Sequence, residues 1–180
     1  ILIRYAKSPV LVIIDADTIL ELNAIKNLVM PFVLYGNVGA TGGRKVPITK
    51  SLIVRGFWDV HHKFSLIVQS KLCSSIIALR RDVVDEIPSS IGCPDTYISL
   101  YIRRKGLKIL YVPSVIGYAI EPGNIWNFIK QRKRIYVQHL YITSLVNSIP
   151  PALQPRLYIK ALIETLMKNP RATPIYIGCT

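Results

Sequence analysis

The sequence predicts an α/β layer fold, and three observations carry that prediction. Short apolar runs such as Val10–Ile14 and Ser75–Leu79 alternate with stretches whose apolar residues recur at helical spacing. The length of 180 residues is enough for one domain with a sizeable core. Hydrophobic residues make up 51% of the chain and mean hydropathy is +0.35, which excludes disorder and suits a large core or a membrane neighbour.

Val10-Leu-Val-Ile-Ile14 reads as a buried parallel strand ending in Asp15-Ala-Asp17-Thr18. Ile19, Leu22, Ile25, Leu28 and Val29 then recur at helical spacing, with Pro31 closing the stretch. Gly36 to Lys45 is rich in glycine and reads as a strand with a turn or bulge; it lacks the spacing of a phosphate loop. Ser51 to Leu72 is expected to be mostly helical. Ser75–Leu79 is a short buried strand, followed by Arg80-Arg81-Asp82 opening a short helix. Pro94 suits the first turn of the next helix and Gly106 its C-terminal cap, with Arg103 to Lys105 on the last turn where cations favour the dipole. Lys108–Val112 is a strand that Val115–Ala119 extends beyond Pro113. A helix follows from Asn124, and a last one runs from about Leu157 to Lys168 before Pro170. No internal repeat or low-complexity linker interrupts this order.

Net charge is +13, from 23 Lys and Arg against 10 Asp and Glu, which calls for a partner carrying negative charge. The excess gathers between Arg103 and Arg134, where Glu121 is the sole acid. Tyr136 to Leu153 carries no formal charge, yet its prolines, Gln138, His139 and Asn147 are wrong for a spanning helix. Beside the basic cluster it suits either a membrane interface or packing on the domain body. No apolar run is long enough to cross a bilayer. Cys73, Cys93 and Cys179 are widely separated, so neither a disulfide framework nor a zinc site follows. His61 and His62 are adjacent and point in different directions, which disfavours a shared ligand role. The chain begins at Ile1 in ordinary globular sequence, so a piece of a longer protein is expected.

Two carboxylates one residue apart, at the edge where a strand opens onto a crevice, offer hard oxygen ligands for Mg²⁺ or Mn²⁺. Such an ion can hold a diphosphate. The alternative is a strand followed by an Asp- or Thr-capped helix beginning near Ile19.

Three segments together resemble family-2 inverting glycosyltransferases of the cellulose, chitin and hyaluronan synthase-like group. Asp15-Ala-Asp17-Thr18 is similar to the D-x-D motif. Pro94-Asp95 and the Arg-Arg-Lys-Gly-Leu-Lys-Ile-Leu-Tyr-Val-Pro stretch beyond it resemble the E-D or T-D motif and its following strand. Gln131-Arg132-Lys133-Arg134-Ile135 resembles Q-[QR]-x-R-W, and Cys73 to Arg81 resembles the strand before the second motif. The resemblance covers most of residues 10 to 140.

It implies a GT-A-like, Rossmann-related mixed sheet flanked by helices, with the N-terminal nucleotide-binding strands missing. Residues 1–140 would be the C-terminal part of that domain, and 141–180 a helical, interfacial extension that leads toward a membrane span. It implies sugar transfer with inversion from a nucleotide-diphosphate sugar to a glycan or lipid-linked hydroxyl acceptor. Asp17 would hold the Mg²⁺ or Mn²⁺, Asp15 would face the nucleotide sugar, and Asp95 would be the general base. Gln131, Arg132 and Arg134 would meet the diphosphate and the acceptor end. A membrane surface is the expected partner, at the cytoplasmic face of the cell membrane, with nucleic acid disfavoured. Two positions depart from the pattern. Ile135 replaces Trp, which removes a ring for an acceptor sugar and counts against processive synthesis more than against single transfer, leaving the choice between them open, and Pro94 replaces the acidic or hydroxyl residue before the base. The rival expectation is a non-catalytic basic α/β remnant that binds a membrane surface, nucleic acid or a partner subunit.

Overall fold

The computed structural model describes residues 2–72 and 75–168. Cys73, Cys179, the segment Ile175–Thr180 and the rest of the C-terminal extension beyond 168 lie outside the described residues. After a short helix α1 (Leu2–Tyr5) come strands β1 (Val10–Ile14) and β2 (Thr18–Leu20), helix α2 (Ala24–Leu34), strand β3 (Val38–Ile48) and helix α3 (Leu52–Val68). Strand β4 (Ile76–Arg80), helix α4 (Pro94–Arg104), strand β5 (Lys108–Ile120) and helix α5 (Ile125–Val146) follow. A 3-10 turn (Pro151–Leu153) leads into helix α6 (Pro155–Lys168). The five strands form one mixed sheet in the order β1-β4-β3-β5-β2, parallel only between β3 and β5.

The apolar strands are explained by what covers them. Ile77 and Leu79 of β4, with Leu11 and Ile13 of β1, pack on the face that meets Ile98 and Ile102 of α4. Ile76 and Ala78, with Val10 and Val12, pack on the other face against Ala24 and Leu28 of α2. With helices on both faces, alternation of apolar and polar residues disappears and continuous apolar runs result. The strand at Val10–Ile14 is where the sequence puts it, but it is not the buried parallel strand expected. It lies at the margin of the sheet, half-buried and antiparallel to β4, with Val10 opposite Arg80 and Ile14 opposite Ile76.

Three further expectations are corrected. The helix read from Ile19 begins only at Ala24, because Thr18–Leu20 pairs as a strand with Gly117–Ala119. Leu20 turns inward while Ile19 and Leu22 are exposed, so their helical spacing is coincidental. Pro31 sits inside α2, buried, at the cost of a hydrogen bond that tertiary packing offsets. Arg80 ends β4 and Arg81-Asp82 turns instead of starting a helix, braced by the ion pair between Arg80 and Asp82.

The remaining elements start and stop as their residues dictate. Ser51 Oγ accepts from the Val54 N–H at 3.4 Å to cap α3, and Asn124 Oδ1 accepts from the Trp126 N–H at 2.8 Å to cap α5. Gly106 (φ 71°) ends α4 in the left-handed conformation that glycine adopts freely. Helix α5 runs unbroken through residues 140 and 141, and α6 packs on α3 through Phe64 stacked on Tyr158 at 4.2 Å.

The glycine-rich stretch is a strand with bulges, at Val38/Ala40 and at Gly43/Arg44. At the second, Pro113 to Val115 of β5 are skipped in the pairing, and Val115 presses into the sheet. A Cβ on Gly43 would stand 2.7 Å from Ile76 Cγ2 and from Val115 Cγ1, and 2.9 Å from the Val115 carbonyl oxygen. Gly43→Ala is therefore expected to destabilise the fold by about 1–3 kcal/mol in urea unfolding. Gly36→Ala, which meets nothing within 4 Å, should stay within about 0.5 kcal/mol of the parent.

Candidate active site

Between Ile14 and Thr18 the chain passes from one margin of the sheet to the other, and Asp15–Asp17 is that crossing. The turn is held by its backbone. The Asp15 N–H donates to the Ser75 carbonyl at 3.1 Å, and the Asp15 carbonyl accepts from the Thr18 N–H at 3.0 Å. Both residues are exposed overall, but Asp15 lines the cleft and is partly screened from water. Local burial raises the Asp15 carboxyl above the usual carboxylate range, Lys45 opposes that shift, and the negative charges of Asp17 and Asp95 add to it.

Asp95 lies in the first turn of α4, one residue after Pro94. Its carboxyl is also raised by burial. The Lys71 ammonium pulls it back most, followed by the N–H groups of Thr96 and of Asp95 itself, then Arg132. The helix start is anchored on two sides. The Ser99 hydroxyl donates to the Asp95 carbonyl at 2.7 Å and accepts from the Leu72 N–H at 3.0 Å. Thr96 Oγ1 meets His139 Nε2 of α5 at 3.0 Å.

Arg132 leaves α5 into a box of rings, its guanidinium carbon 5.2 Å from Phe57, 5.6 Å from Trp58 and 5.1 Å from Phe128. Such stacking orients the planar cation with little loss of charge. Its Nη2 also donates to Gln131 Oε1 at 3.0 Å. Lys45 of β3 stands 4.7 Å from the Trp58 ring and pairs with the buried Glu121 carboxylate.

A cleft of about 1870 Å³ gathers these groups; Asp15, His61, Lys71, Asp95, Arg132 and Arg134 are among its lining. Asp17 and Gln131 are not in the lining. Asp17 reaches the site through its charge on Asp15, and Gln131 through its bond to Arg132. Ile135, where the resemblance expects Trp, packs with Ile91, Cys93 and Leu100 between α4 and α5.

Lys71, His61, Lys45, Thr96 and His139 were not marked by any motif. His61 is buried among Phe57, Trp58 and Phe64, and its Nε2 is 3.1 Å from Lys71 Nζ. Burial, then the nearby Lys71, Arg132 and Lys45, hold it well below the usual histidine range, so it is neutral. The adjacent His62 turns the other way, to the Tyr111 hydroxyl at 2.7 Å. An isolated lysine or histidine gives no periodic signal. Burial of its charge or ring is the property that marks it, and only the fold reveals that.

Among the described residues no group of three His, Cys, Asp or Glu side chains forms a metal cage. A hard divalent ion bound with a diphosphate needs fewer, one or two carboxylates with water and phosphate oxygens completing the shell. Asp17 next to Asp15 supplies that donor set. The repulsion among Asp15, Asp17 and Asp95 is what a cation there would relieve, so the residues fit such an ion.

No family model matches the chain, and no curated protein matches it. Among solved structures it is similar to a mannosyltransferase from Pyrobaculum calidifontis, seen in complex with GDP-Man and Mn²⁺. The likeness has a TM-score of 0.61 at 19% identity and covers 99% of this chain and 51% of that one. The fold is glycosyltransferase-like. The chain spans about half the length of that structure.

The buried histidines set a pH dependence. Burial and nearby cations lower His139 to about 4, and burial first, then Arg44, Lys63 and Lys168, bring His62 to about 4. An unfolded histidine binds its proton below about 6.5, so between that value and 4 the unfolded state holds more protons and stability falls as pH falls. The raised carboxyls of Asp15 and Asp95 act in the opposite direction, so the histidine contribution is read as the decline of the parent's urea midpoint from pH 7 to pH 4 relative to a histidine variant. Each of these histidines contributes up to about tenfold per pH unit in the folding equilibrium, and His139→Gln should flatten the curve.

Proposed function

We propose that the chain carries the metal, base and acceptor part of an inverting glycosyltransferase of the family-2 synthase-like group, acting on a nucleotide-diphosphate sugar. The observation that carries this reading is the convergence of Asp15, Asp95, Arg132 and Arg134 in one cleft of a glycosyltransferase-like fold. Those residues come from three segments far apart in the sequence, the same three that resemble the family's motifs.

Each side chain has a task suited to its chemistry. The Asp95 carboxylate takes the proton from the acceptor hydroxyl as that oxygen attacks the anomeric carbon. Attack comes from the side opposite the diphosphate, whose bond to the sugar breaks with inversion. Arg132 and Arg134 offer permanent positive charge to the departing phosphates, and Gln131 steadies Arg132. Asp17 would hold a Mg²⁺ or Mn²⁺ ion, which supplies Lewis-acid neutralisation of the diphosphate, while Asp15 faces the nucleotide sugar. The GDP-Man and Mn²⁺ in the similar mannosyltransferase support a nucleotide sugar and a divalent metal.

A membrane-side location at the cytoplasmic face, with a glycan or lipid-linked acceptor, is supported by the outer face of α5. Trp126, Ile129, Val137, Leu140 and Tyr141 are exposed there, interleaved with exposed Lys130 and Lys133 at helical spacing. Phe128, His139, Ile142 and Val146 face the protein instead. An apolar stripe edged by lysines suits an anionic lipid interface. Among the described residues no helix is long and apolar enough to cross a membrane.

The test is transfer or donor hydrolysis by the full-length protein, with UDP- and GDP-sugars, in Mn²⁺ and in chelator. Turnover should require the metal, and Asp95→Asn should lower it by about 10²–10⁴-fold at an unchanged melting temperature. Turnover indifferent to Asp95 would remove it from the role of base. No turnover with any donor, alongside retained binding to anionic vesicles, would favour the non-catalytic remnant.

A further inference from the structure

We infer that Lys71 is a positioning residue for the base, a buried ammonium held by His61 so that it faces Asp95 and keeps that carboxylate ionised inside an apolar cleft. The inference rests on Asp95 being the base.

The geometry is specific. Lys71 follows the end of α3 and is only 8% exposed, unusual for a side chain that carries a full charge. A buried ammonium needs acceptors and a countercharge to remain protonated. His61 Nε2, 3.1 Å away, is one acceptor. His61 is neutral, so Lys71 Nζ donates to the ring nitrogen. The Phe64 ring stands 5.5 Å from Nζ, and its face accepts positive charge as well. Lys71 and Asp95 both line the cleft, and the segment carrying Lys71 is pinned to the first turn of α4. The relay runs from the Leu72 N–H to Ser99 Oγ and on to the Asp95 carbonyl. The segments carrying the ammonium and the carboxylate are thus held in register by hydrogen bonds through the Ser99 hydroxyl, independent of either charge.

The surroundings show why this device is needed. Asp95 is faced by Asp15 from the end of β1, by Cys93 before its own helix, by Lys71 after α3, and by Arg132 of α5. His139 of α5 is neutral and occupied with Thr96, and His61 is neutral behind Lys71. Asp15 repels the charged form of Asp95, and burial disfavours it. Arg132 is turned into its aromatic box and is the weaker of the two cations acting on Asp95. Lys71 is therefore the leading side-chain cation acting on the base.

The sign follows directly. Removing the Lys71 charge raises the Asp95 carboxyl further, so the acid limb of the pH–kcat/KM profile moves to higher pH. In the full-length enzyme, Lys71→Met should move that limb up by about one pH unit or more, with activity recovering at alkaline pH. Lys71→Arg should keep it near the parent. A merely structural lysine would lower activity equally at all pH values, and that outcome, with the limb unmoved, overturns the inference. If Lys71→Met fails to fold, ¹³C NMR of the parent protein decides. The Asp95 side-chain resonance should sense deprotonation of Lys71 at alkaline pH, and a resonance blind to Lys71 overturns the inference. Asp95→Asn separates the two claims. If that variant retains full turnover, the reading of Asp95 as base fails. If it is inactive while Lys71→Met keeps the parent limb, only the role of Lys71 fails.

Discussion

Desolvation of one carboxylate at the start of α4 is the constraint around which the neighbouring elements are arranged. Asp95 begins a helix sewn into the core by Ile98 and Ile102, so its backbone is fixed at the cleft wall while its side chain is partly buried. Its charge has to be matched where it stands. The groups that do so come from different parts of the chain: helix N–H groups within α4, Lys71 after α3, and Arg132 from α5. The contacts among them, Ser99 to the Lys71 segment and Thr96 to His139, are buried and short in reach. Loss of register in any of these elements would be felt electrostatically at Asp95.

The sheet provides the other half of the arrangement. Because α2 and α4 cover both faces, β1 and β4 are apolar as far as Leu79, and polar chemistry is confined to their ends, Arg80 included. Asp15 follows β1 directly, where the chain leaves the sheet, and its backbone is fixed to Ser75 just before β4. Carboxylates from a turn and from a helix start thus meet beside the same edge of the core. The excess positive charge of the chain has a local meaning here. Lys45, Lys71 and Arg132 are drawn inward against aromatic rings and carboxylates instead of being spread over a solvated face.

Much of this was legible in the sequence, and the exceptions share causes. Val10–Ile14, Pro94 and Gly106, Ser51 and Asn124 announce their elements through apolar continuity, fixed φ or side-chain capping, all local properties. Strand order and direction are not local: nothing in Val10–Ile14 distinguishes a marginal antiparallel strand from a central parallel one, since both are covered on two faces. The three-residue β2 is too short to show alternation, and the chance spacing of Ile19 with Leu22 imitated a helix. At the site, Asp15, Asp95 and Arg132 carried motif signals. Lys71 and His61 carried none, because their significance lies in being buried against each other across a helix end.

The aromatic residues of the cleft bear on what kind of acceptor it suits. A ring that stacks on a sugar must present an open face. Position 135 offers no ring, and its isoleucine is committed to the joint between α4 and α5. Trp58 and Phe128 are each 5% exposed, and with Phe57 their surfaces are taken up by Arg132 and one another. These rings orient a cation and exclude water from it, which strengthens its field on whatever anion enters the cleft. They do not form a platform along which a growing glycan slides. The apolar wall of Ile53, Ile125 and Ile129 lines the same cleft, and through Ile129 it is continuous with the exposed stripe of α5. The membrane-side acceptor proposed above draws on that continuity.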